Sequence, residues 1–386
     1  MRFRSCLAAL TALVLSACAS TPQFRAPSVT PGPVGNLPPT TLPVPLEGRI
    51  AEFASLPGWR EDSHAEALAA FKVTCAASRD PGVQQVCRTA KALGPMSDEQ
   101  ARQFFETNFM AVQVGQEGVL TAYFAPEYDA RSSPNGEFTA PLRARPSDLV
   151  TVDAGVFEPY LAGSPGAGRN IAGVMTPYPD RSEIERERPE KVLAWMRPED
   201  LFFLQIQGSG VLTFENGARM KATYAANNGR RFIGIANALR DRGHLAPDAV
   251  SGEAIRAWLA AHRGPEADEI MRLNPRYVFF NLAPDDGRQP SGAAGVPLPP
   301  GRAIAVDPSR HAMGEIFWID AAAPSLSGAF PAYRRLAMAL DTGGAIRGEV
   351  RADLYMGLGP EAGAEAGRVR HTLRMYRLVP RQAPSS

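Results

Sequence analysis

One aspartate of this sequence stands where a carboxyl group could exchange a proton with a ligand. Asp341 follows the alternating apolar residues Leu336, Met338 and Leu340 and precedes the run Thr342-Gly343-Gly344. The alternation predicts a buried strand, and the two glycines indicate a sharp bend or the close approach of another group. A carboxylate at the end of such a strand loses hydration, which raises its pKa, and no cation adjacent in sequence opposes that rise. A carboxyl group in this state is a candidate for proton transfer.

A second aspartate, Asp353, lies on the next apolar segment, RADLYMGLG. The plain alternatives are that Asp341 is a hairpin-turn residue and that Asp353 forms an ion pair with Arg351 or Arg347. The run Leu340-Asp341-Thr342-Gly343 also resembles the D-T-G of aspartic proteases, in which two carboxylates share one proton. The chain has no second D-T-G or D-S-G, so that chemistry would need a homodimer whose carboxylates meet on its axis.

Other catalytic chemistries have weak signatures in this chain. The segment AGSPGAG lacks the Lys-Ser/Thr pair and the helix start of a phosphate-binding loop, and no serine stands in a nucleophile elbow. The histidines show neither an i, i+4 pair nor the spacing of zinc ligands; they are His64, His244, His262, His311 and His371. We therefore expect neither a metal nor a cofactor.

The first residues of the chain are predicted to be a secretion signal. Two arginines precede an apolar run from Leu7 to Leu15, which is too short for a permanent membrane helix. The run Leu15-Ser16-Ala17-Cys18 resembles a bacterial lipobox, in which the cysteine becomes the acylated N-terminus. Ala19 and Ser20 follow instead of Asp, which is typical of export to the outer membrane. We expect residues 1–17 to be removed and Cys18 to carry acyl chains that anchor the protein.

Composition excludes one large class of partner. The formal net charge is +1 for the whole chain and −1 once the two arginines of the signal are removed. Because the chain has no basic field, nucleic-acid binding is not expected. With 45% hydrophobic residues the chain can bury a sizeable core, and its 386 residues suggest two domains.

The cysteines are few enough to be assigned. Cys6 leaves with the signal and Cys18 is lipidated, so Cys75 and Cys87 remain. Two cysteines twelve residues apart in an oxidising periplasm most simply form a disulfide. Both lie in helical pattern, so the bond would join two helices or a helix and its loop.

The N-terminal part of the mature chain passes from a linker to helices. Residues 18–46 are rich in Pro, Thr and Gly and are predicted to be a flexible linker. A helical pattern follows in HAEALAAFKVTCAAS, which Asp62 or Ser63 can cap. Another follows in DEQARQFFETNF, where Ser97 and Gln100 form a capping box.

Strand periodicity begins at Gly118 in VLTAYFAPEYDA and continues to FFLQIQGSGVLTFENGARMKATY, where Glu215-Asn216-Gly217 is a hairpin turn. Helical patterns return in RRFIGIANALRDRG, GEAIRAWLAAHRG and PEADEIMRL, and short strands follow to the C-terminus. This order favours a β domain at 122–222 inserted into a domain formed by 47–121 and 223–380. Neither helical stretch alone is long enough for a core, whereas together they could pack one.

Six motifs between about Thr121 and Pro380 resemble, in order, those of the membrane-bound lytic murein transglycosylase A family. They are LTAYFAPEYDA, FFLQIQGSG, TYAANNG, NPRYVFF, GVPLPPGRAIAVD and ALDTGGAIRG…RADLY…AGAEAG. The resemblance implies a mostly β fold with helices: a double-psi β-barrel domain interrupted by a second β domain, with a long groove between them. One departure is Ala226-Asn227-Asn228, which stands where a glycine-containing run is common.

The resemblance also implies an activity. Members of the family cut the β-1,4 bond between N-acetylmuramic acid and N-acetylglucosamine without water and form a 1,6-anhydro ring. The C-terminal part resembles the module named for three aspartates, and the catalytic acid falls on Asp341. We expect Asp353 and Asp307 to support it by accepting backbone hydrogen bonds of the glycine turn, which would give both a low pKa.

Sugar binding needs flat amphipathic groups and amides. In the context of the family, the candidate glycan-binding residues are Tyr123, Gln205, Gln207, Ser209, Tyr224 and Asn228. Asn228 and Gly229 precede the predicted helix RRFIGIANAL and could present N–H groups and the positive end of that helix to developing negative charge. Core packing is the alternative role for each tyrosine.

Two other functions remain open from the sequence: a non-catalytic peptidoglycan-binding scaffold lipoprotein on the same fold, and the D-T-G protease homodimer. The expected location is the periplasmic face of the outer membrane, and the expected state is a monomer. The expected partners are peptidoglycan glycan strands and the membrane, with proteins of cell-wall synthesis or division as further candidates.

Overall fold

The computed structural model describes residues 48–163, 165–246, 251–324 and 332–381. The predicted signal peptide (1–17), the lipidation site Cys18 and the linker (18–46) lie outside these ranges. Within the described ranges, no helix is both long and apolar enough to cross a bilayer.

The described helices are α1 (His64–Thr74), α2 (Pro81–Ala92), α3 (Asp98–Asn108), α4 (Arg181–Arg186), α5 (Pro198–Gln207), α6 (Ala236–Asp241), α7 (Gly252–Ala261), α8 (Pro265–Arg272) and α9 (Gly359–Ala366). The described strands are β1 (Ile50–Ala51), β2 (Phe109–Ala125), β3 (Glu127–Asp129), β4 (Ala140–Arg143), β5 (Val150–Asp153), β6 (Pro165–Ile171), β7 (Val174–Pro177), β8 (Val192–Met196), β9 (Ser209–Thr213), β10 (Arg219–Asn227), β11 (Val278–Pro284), β12 (Ala303–Val306), β13 (Ile316–Pro324), β14 (Ala332–Thr342), β15 (Arg351–Leu358) and β16 (Arg370–Pro380).

Six strands close into a β-barrel in a mixed α/β fold. Their order is β2-β15-β12-β14-β13-β16, and the ring closes because β16 also pairs with β2. β12 runs parallel to β14 and β15 runs parallel to β2, whereas the other neighbours in the ring are antiparallel. The C-terminal strands predicted from periodicity are confirmed. They depend on β2, from the N-terminal half, to complete the ring.

Alternate residues of the barrel strands form two apolar layers. In β14, Ala337 and Ala339 belong to a cluster that fills the interior and comes from the six barrel strands and Val369, just before β16. Leu336 and Met338 belong to another cluster that includes α1, α2 and α3. We call these two sides of the barrel wall the inner face and the outer face. The alternation of residues along the strand therefore sends one set of side chains into the barrel interior and the other set against the helices α1, α2 and α3.

Local predictions for the N-terminal helices agree well with the structure. Cys75 follows α1 directly and forms a disulfide with Cys87 of α2, with an S–S distance of 2.02 Å. The capping box of Ser97 and Gln100 is present at the start of α3. Capping of α1 differs, because Ser63 stands at the N-cap without a side-chain hydrogen bond to the helix.

The remaining strands lie in smaller sheets outside the barrel. β11-β10-β9-β3 form one sheet, β4 and β8 pair, and β5-β6-β7 form a third. The predicted hairpin between β9 and β10 is confirmed, with Gly217 at φ 80°. Helix α5 packs on the first of these sheets through Leu201 and Leu204, beside Phe280 of β11.

Three predictions for this region are wrong. FFLQIQ is not a strand but the body of α5, which has Pro198 in its first turn and Gly208 at its left-handed C-cap. The predicted helix after Asn228-Gly229 begins only at Ala236. The two helical stretches do not share a core, because α6, α7 and α8 pack with Phe202 of α5, whereas α1, α2 and α3 pack on the barrel.

Candidate active site

A β-bulge decides which way Asp341 points. Ala339 of β14 lies beside Ile304 of β12, whereas Asp341 lies beside Ala305, so Leu340 is an extra residue in this pairing. Strict alternation after Ala339 would place Asp341 on the inner face of the barrel. Since one extra residue reverses the alternation, the carboxylate emerges on the outer face instead.

Three hydrogen-bond donors hold the Asp341 carboxylate. The Tyr123 hydroxyl donates to Oδ2 at 2.8 Å, and the backbone N–H groups of Ala293 and Thr342 each donate to Oδ1 at 2.9 Å. The Tyr123 ring lies against the ring of Tyr355, with 5.2 Å between centroids. Tyr123, predicted as a glycan contact, therefore touches the candidate acid itself.

The surroundings of Asp341 favour its protonated form. Burial raises the pKa of this carboxyl above its ordinary value, while the hydrogen bonds from Tyr123, Ala293 and Thr342 oppose the rise. All three donors are neutral, and no cation contributes to the shift. The carboxyl group is largely buried, although the residue as a whole has intermediate exposure. The expectation of a partly desolvated carboxyl without a cationic partner is confirmed.

A loop between β11 and β12 closes over the bulge. The Ala294 N–H donates to the Leu340 carbonyl at 2.9 Å, which satisfies the acceptor at the bulge, and the neighbouring Ala293 N–H binds Asp341. Gly292 permits this approach, because a Cβ there would overlap the Leu340 carbonyl oxygen and lie 3.2 Å from the Asp341 Cβ. This loop was not predicted from the sequence, although Gly292 in SGAAG is a signal for a close backbone approach.

Asp353 lies in register with Asp341 on the same face of the barrel wall, with strand β12 between them. Ala305 of β12 pairs with Asp341 on one side and with Asp353 of β15 on the other. Asp353 accepts a hydrogen bond from the Thr121 hydroxyl, which in turn accepts one from Arg351 Nη2 at 2.8 Å. The two carboxylates are thus separated by one strand, on the same face of the sheet.

The expected low pKa of Asp353 is wrong. Burial raises the pKa of this carboxyl, the Thr121 hydrogen bond and the Arg351 charge oppose the rise, and the Asp341 charge adds to it. Its described hydrogen bond comes from a side chain rather than from the backbone of the glycine turn. The simple ion-pair alternative also fails for Arg351, because Thr121 lies between the two charged groups.

Asp307 accepts backbone hydrogen bonds and has the low pKa that was expected, although its donors lie outside the glycine turn and its supporting role stays a prediction. Its Oδ2 accepts from the Gly348 N–H at 2.8 Å, and its Oδ1 accepts from the N–H and hydroxyl of Ser309. Although burial acts in the opposite direction, these hydrogen bonds hold the pKa of Asp307 below its ordinary value. Gly348 is at the end of the segment 341–348, and Asp307 directly follows β12. Their hydrogen bond therefore connects that segment to the end of β12.

The raised pKa of Asp353 predicts a dependence of stability on pH. A carboxyl whose pKa is higher in the folded state loses its stabilising contribution as pH rises from its ordinary value of 3.8 through the raised pKa. Asp353→Asn removes this titration, so the free energy of unfolding of the variant should fall less between acid and neutral pH. Urea unfolding at several pH values measures the difference.

The matched control has the opposite sign. Asp307 has a lowered pKa, so its contribution is present at neutral pH and is lost as pH falls. Asp307→Asn should therefore weaken the protein most at neutral pH. If both variants responded to pH in the same direction, the assignment of opposite pKa shifts to these carboxyls would be contradicted.

Gln207 connects the end of α5 to the barrel. Its Oε1 accepts from the Phe124 N–H at 3.2 Å, next to Tyr123 on β2. Ser209 begins β9 two residues later and is partly buried. Gln207 therefore contacts the residue next to Tyr123. The role of Gln207 and Ser209 in binding a glycan stays a prediction.

Gln205 and Asn228 have structural hydrogen bonds that their predicted role did not include. Gln205 is buried, and its amide donates to the Val278 carbonyl at 3.3 Å. Asn228 is 1% exposed; its amide donates to the carbonyls of Pro179 and Pro275, and its Oδ1 accepts from the Tyr277 N–H. The predicted use of the helix N-terminus after Asn228 is wrong, because α6 begins at Ala236.

Tyr224 offers an open aromatic face. The residue is 48% exposed and lies at a bulge in the pairing of β10 with β11, between Tyr224 and Ala226. Its hydroxyl accepts from Asn227 Nδ2 at 2.6 Å. The alternative of core packing does not hold for Tyr224, and stacking on a sugar stays a prediction for it.

Comparisons with known proteins show which family this chain resembles. The model of the MltA specific insert domain matches residues 119–281, and the model of the 3D domain matches residues 302–379. A crystal structure of a membrane-bound lytic murein transglycosylase from Agrobacterium tumefaciens is 35% identical. The similarity covers 86% of this chain and 97% of that one, with a TM-score of 0.73. The chain belongs to the membrane-bound lytic murein transglycosylase A family.

Two further relatives have lower identities to this chain. Escherichia coli MltA, in a structure with bound chitohexaose, is 28% identical over 83% of this chain and 89% of that one, with a TM-score of 0.62. The curated membrane-bound lytic murein transglycosylase A of Escherichia coli is 32% identical over 261 residues. That alignment covers 67% of this chain and 64% of the length of the relative.

The two family matches divide the candidate site between them. Asp307, Asp341 and Asp353 fall in the 3D domain match, whereas Tyr123 and Gln207 fall in the insert-domain match. The loop of Gly292 to Ala294 lies in the interval between the matches, at 282–301. This interval supplies one of the three donors to Asp341 and is part of the site.

Gly292→Ala should displace the loop from Asp341. Its added Cβ would lie 2.6 Å from a Leu298 side-chain carbon and would overlap the Leu340 carbonyl. Overpacking of this kind costs about 1–3 kcal/mol of folding free energy. The Ala293 hydrogen bond would also weaken, so activity on murein should fall. Thermal unfolding and turnover measure both effects.

Gly94→Ala is the control for this substitution, because a Cβ at Gly94 meets no atom within 4 Å. It should leave stability and turnover near those of the parent protein. Equal behaviour of the Gly292 and Gly94 variants would mean that the loop does not need its close approach to Asp341.

Proposed function

We propose that this protein is a lytic transglycosylase of peptidoglycan. It cleaves the β-1,4 bond between N-acetylmuramic acid and N-acetylglucosamine and leaves a 1,6-anhydro ring on the muramyl product. The observation that carries the proposal is the Asp341 carboxyl, whose pKa is raised by burial and which three neutral donors hold. Family membership supports the same reaction.

In the first half of the reaction, protonated Asp341 donates its proton to the glycosidic oxygen as the bond from that oxygen to muramyl C1 breaks. The N-acetylglucosamine part leaves with the proton as its hydroxyl group. The raised pKa keeps a larger fraction of Asp341 protonated than an exposed aspartate would have at the same pH.

In the second half, the Asp341 carboxylate accepts the proton of the muramyl C6 hydroxyl as O6 bonds to C1. The donors on Oδ1 and Oδ2 stabilise the carboxylate during this interval. The cycle returns Asp341 to its protonated form and consumes no water. One carboxyl group therefore serves as acid and then as base.

A hydrolase would need a second carboxylate to act as nucleophile or to activate water. Asp353 is the nearest candidate in the barrel wall, but its Oδ1 is occupied by Thr121, and burial disfavours its ionised form. These contacts support a positioning role for Asp353. We propose that its hydrogen bond from Thr121 helps to hold β2, the strand that carries Tyr123, and that Asp353 does not touch the substrate.

Product analysis from purified murein sacculi tests the proposal. The expected products carry the anhydro ring and contain no oxygen from ¹⁸O-labelled water. Labelled oxygen at muramyl C1 would mean hydrolysis and a two-carboxylate mechanism. Protein that pellets with sacculi but releases no product would be a binding scaffold.

The D-T-G protease alternative is not supported by the contacts of Asp341. A shared proton would require a partner carboxylate against an oxygen of Asp341. In the described residues, Oδ1 is bound by two backbone N–H groups and Oδ2 by the Tyr123 hydroxyl. Both oxygens thus have donors within the same chain.

For the glycan, we propose contacts to Tyr123, Gln207, Ser209 and the exposed ring of Tyr224. A groove beside Asp341, between the barrel and the neighbouring sheets, would bring these groups along one strand of substrate. For Gln205 and Asn228 we propose a supporting role, because their amide groups bond to backbone.

We propose that the barrel is of the double-psi type and that the second β region is inserted into its chain. The core clusters support a later C-terminal limit than 222 for the inserted part. β10 pairs with β11 up to Pro284, and α6 to α8 pack with α5 rather than with the barrel. An insertion from about 126 to 284 accounts for both contacts.

We further propose that Cys18 is acylated and holds the protein at the periplasmic face of the outer membrane. Cys18→Ala should give an unprocessed or mislocalised protein, whereas a chain that starts at Thr21 should be extracted without detergent. Fractionation and mass spectrometry of the N-terminus measure this. A full-length protein recovered in the soluble periplasmic fraction would contradict the anchor.

A further inference from the structure

Arg276 is a largely buried cation beside the turn that follows Asp341. Its Nη1 donates to Asn227 Oδ1 at 3.1 Å and to the Arg230 carbonyl at 3.2 Å. Gly344 also lies beside the guanidinium, because a Cβ added to this glycine would be 3.4 Å from Arg276 Nε. Gly344 is three residues from Asp341, which limits the separation of their Cα atoms to about 11 Å.

The guanidinium of Arg276 has unused hydrogen-bonding capacity. Among the described residues, the hydrogen bonds of this guanidinium come from Nη1, and no carboxylate acts on its charge. The Nε and Nη2 atoms are not fully enclosed by the protein, so they remain open to solvent or to a ligand. The contacts of Nη1 explain how the side chain is held, but not what its charge is for.

A second cation increases the local positive charge. Arg347 Nη1 donates to the Gly343 carbonyl at 3.3 Å, next to Gly344, which itself lies beside Arg276. Burial lowers the pKa of Arg276, and the charge of Arg347 lowers it further. The side chain of Arg347 is 61% exposed, and its nearest carboxylate oxygen, of Asp307, is 4.0 Å away. Asp307 is already bound by Gly348 and Ser309, so it neutralises Arg347 only in part. Two like charges placed together without a full counter-charge favour the binding of an anion.

The substrate of the proposed function carries one suitable class of anion. N-acetylglucosamine is neutral, whereas the muramyl residue carries a lactyl group that ends in a carboxylate or in a peptide with carboxylates of its own. An arginine fork matches the planar geometry of a carboxylate. We propose that Arg276, assisted by Arg347, binds a carboxylate carried by a muramyl residue next to the cleaved bond.

This inference rests on the proposed function and adds a basis for specificity to it. The exposed Tyr224, whose hydroxyl is linked through Asn227 to Arg276, can stack on the sugar while Arg276 binds its acidic substituent. A neutral chitin-type strand could stack on Tyr224 but would have no acidic substituent for Arg276 to bind. The arginine site therefore distinguishes muramyl-containing strands from strands of N-acetylglucosamine alone.

Binding experiments in an Asp341→Asn background test this without turnover. The probes are chitohexaose, glycan strands freed of peptide, the same strands with their lactyl carboxylates converted to neutral amides, and peptide-bearing strands. Arg276→Gln should weaken binding of a carboxylate-bearing probe by about 10- to 100-fold, the range for a hydrogen bond to a charged group. Affinity for chitohexaose should not change, and Arg276→Lys should restore part of the loss.

The pattern across the probes identifies the source of the carboxylate. A loss with peptide-free strands that disappears when they are amidated supports the lactyl group, whereas a loss confined to peptide-bearing strands supports the stem peptide. An equal loss with chitohexaose, or no loss with any probe, would overturn the proposal. Arg240→Gln, at an exposed ion pair with Asp241, is the control for removal of one positive charge.

Arg347→Gln provides an independent variant, because its side chain is largely exposed and its hydrogen bonds go to carbonyls of its own segment, so the rest of the fold should be kept. It should show the same selective loss for carboxylate-bearing probes at a smaller size, and an effect equal to that of Arg240→Gln would contradict its part in the site. The proposed function is tested separately, by anhydro products from the parent protein. If the parent protein forms anhydro products and Arg276→Gln binds every probe normally, the arginine site would be contradicted and the proposed function would stand.

Discussion

Asp341→Asn is expected to reduce turnover of murein by about 10²–10⁴-fold, the contribution of a general acid and base. Glycan binding should survive, because the amide fits the existing contacts. Its oxygen can accept from the Ala293 and Thr342 N–H groups at the position of Oδ1, and its NH₂ can donate to the Tyr123 hydroxyl. The variant therefore keeps the shape of the site and removes the transferable proton.

Release of anhydro-muropeptides and pelleting with sacculi measure the two parts of this prediction. Asp241→Asn, an exposed aspartate paired with Arg240, is the control and should retain full turnover. Substantial turnover by Asp341→Asn would show that another group supplies the proton. Loss of pelleting together with turnover would show that Asp341 binds the glycan rather than transferring a proton.

Arg302→Met is expected to lower the free energy of unfolding by about 3–5 kcal/mol, the cost of leaving one partner of a buried ion pair alone. Arg302 Nη1 lies 2.8 Å from Asp62 Oδ2, and both side chains are nearly inaccessible. The guanidinium also donates to the carbonyls of Ser63 and Leu336. These contacts join the start of α1 to the barrel wall that carries Asp341.

Urea unfolding of two further variants tests the cause. Adding Asp62→Asn to Arg302→Met removes the unpaired charge, so the double variant should lose less than the sum of the single losses. Arg374→Met breaks an exposed pair with Glu117 and should cost no more than about 1 kcal/mol. If the Arg302 variant lost as little as the Arg374 variant, the buried pair would not be what holds α1 to the barrel.

Asp62 illustrates how far local sequence signals reach. The Asp62-Ser63 pair predicted a capped start for α1, and the helix does begin at His64. The side chain of Asp62 nevertheless binds Arg302 and the Leu336 N–H, which lie more than two hundred residues away in sequence. The local sequence pattern predicted where the helix begins. The partners of the Asp62 carboxylate depend on the tertiary fold, which brings Arg302 and Leu336 close to it.

Features that depend on neighbouring residues could be predicted from the sequence. The capping box of Ser97 and Gln100, the disulfide of Cys75 and Cys87 and the strand before Asp341 all involve short separations or a simple period. The same rules failed for FFLQIQ, where apolar residues fit a strand or a buried helix. Pro198 and Gly208 at its two ends were the signals that distinguish them.

The surroundings of the predicted site residues were decided by tertiary structure. The alternation of Leu336, Met338 and Leu340 indicated the strand but not the bulge that turns Asp341 to the outer face. Periodicity describes one strand, whereas a bulge is a property of the pairing between two strands. Asn228 likewise lies among backbone groups that only the folded chain brings to its amide.

The sequence by itself determined that one carboxyl group, Asp341, ends a buried strand without a cation nearby, and its motifs indicated the family. Only the folded barrel brought the Tyr123 hydroxyl, 218 residues away, and the Ala293 N–H to that carboxyl. It also reversed the expected pKa shift of Asp353 by burying it against Thr121. Desolvation and long-range hydrogen bonds arise from the packing of distant segments, and no local pattern of residues contains them.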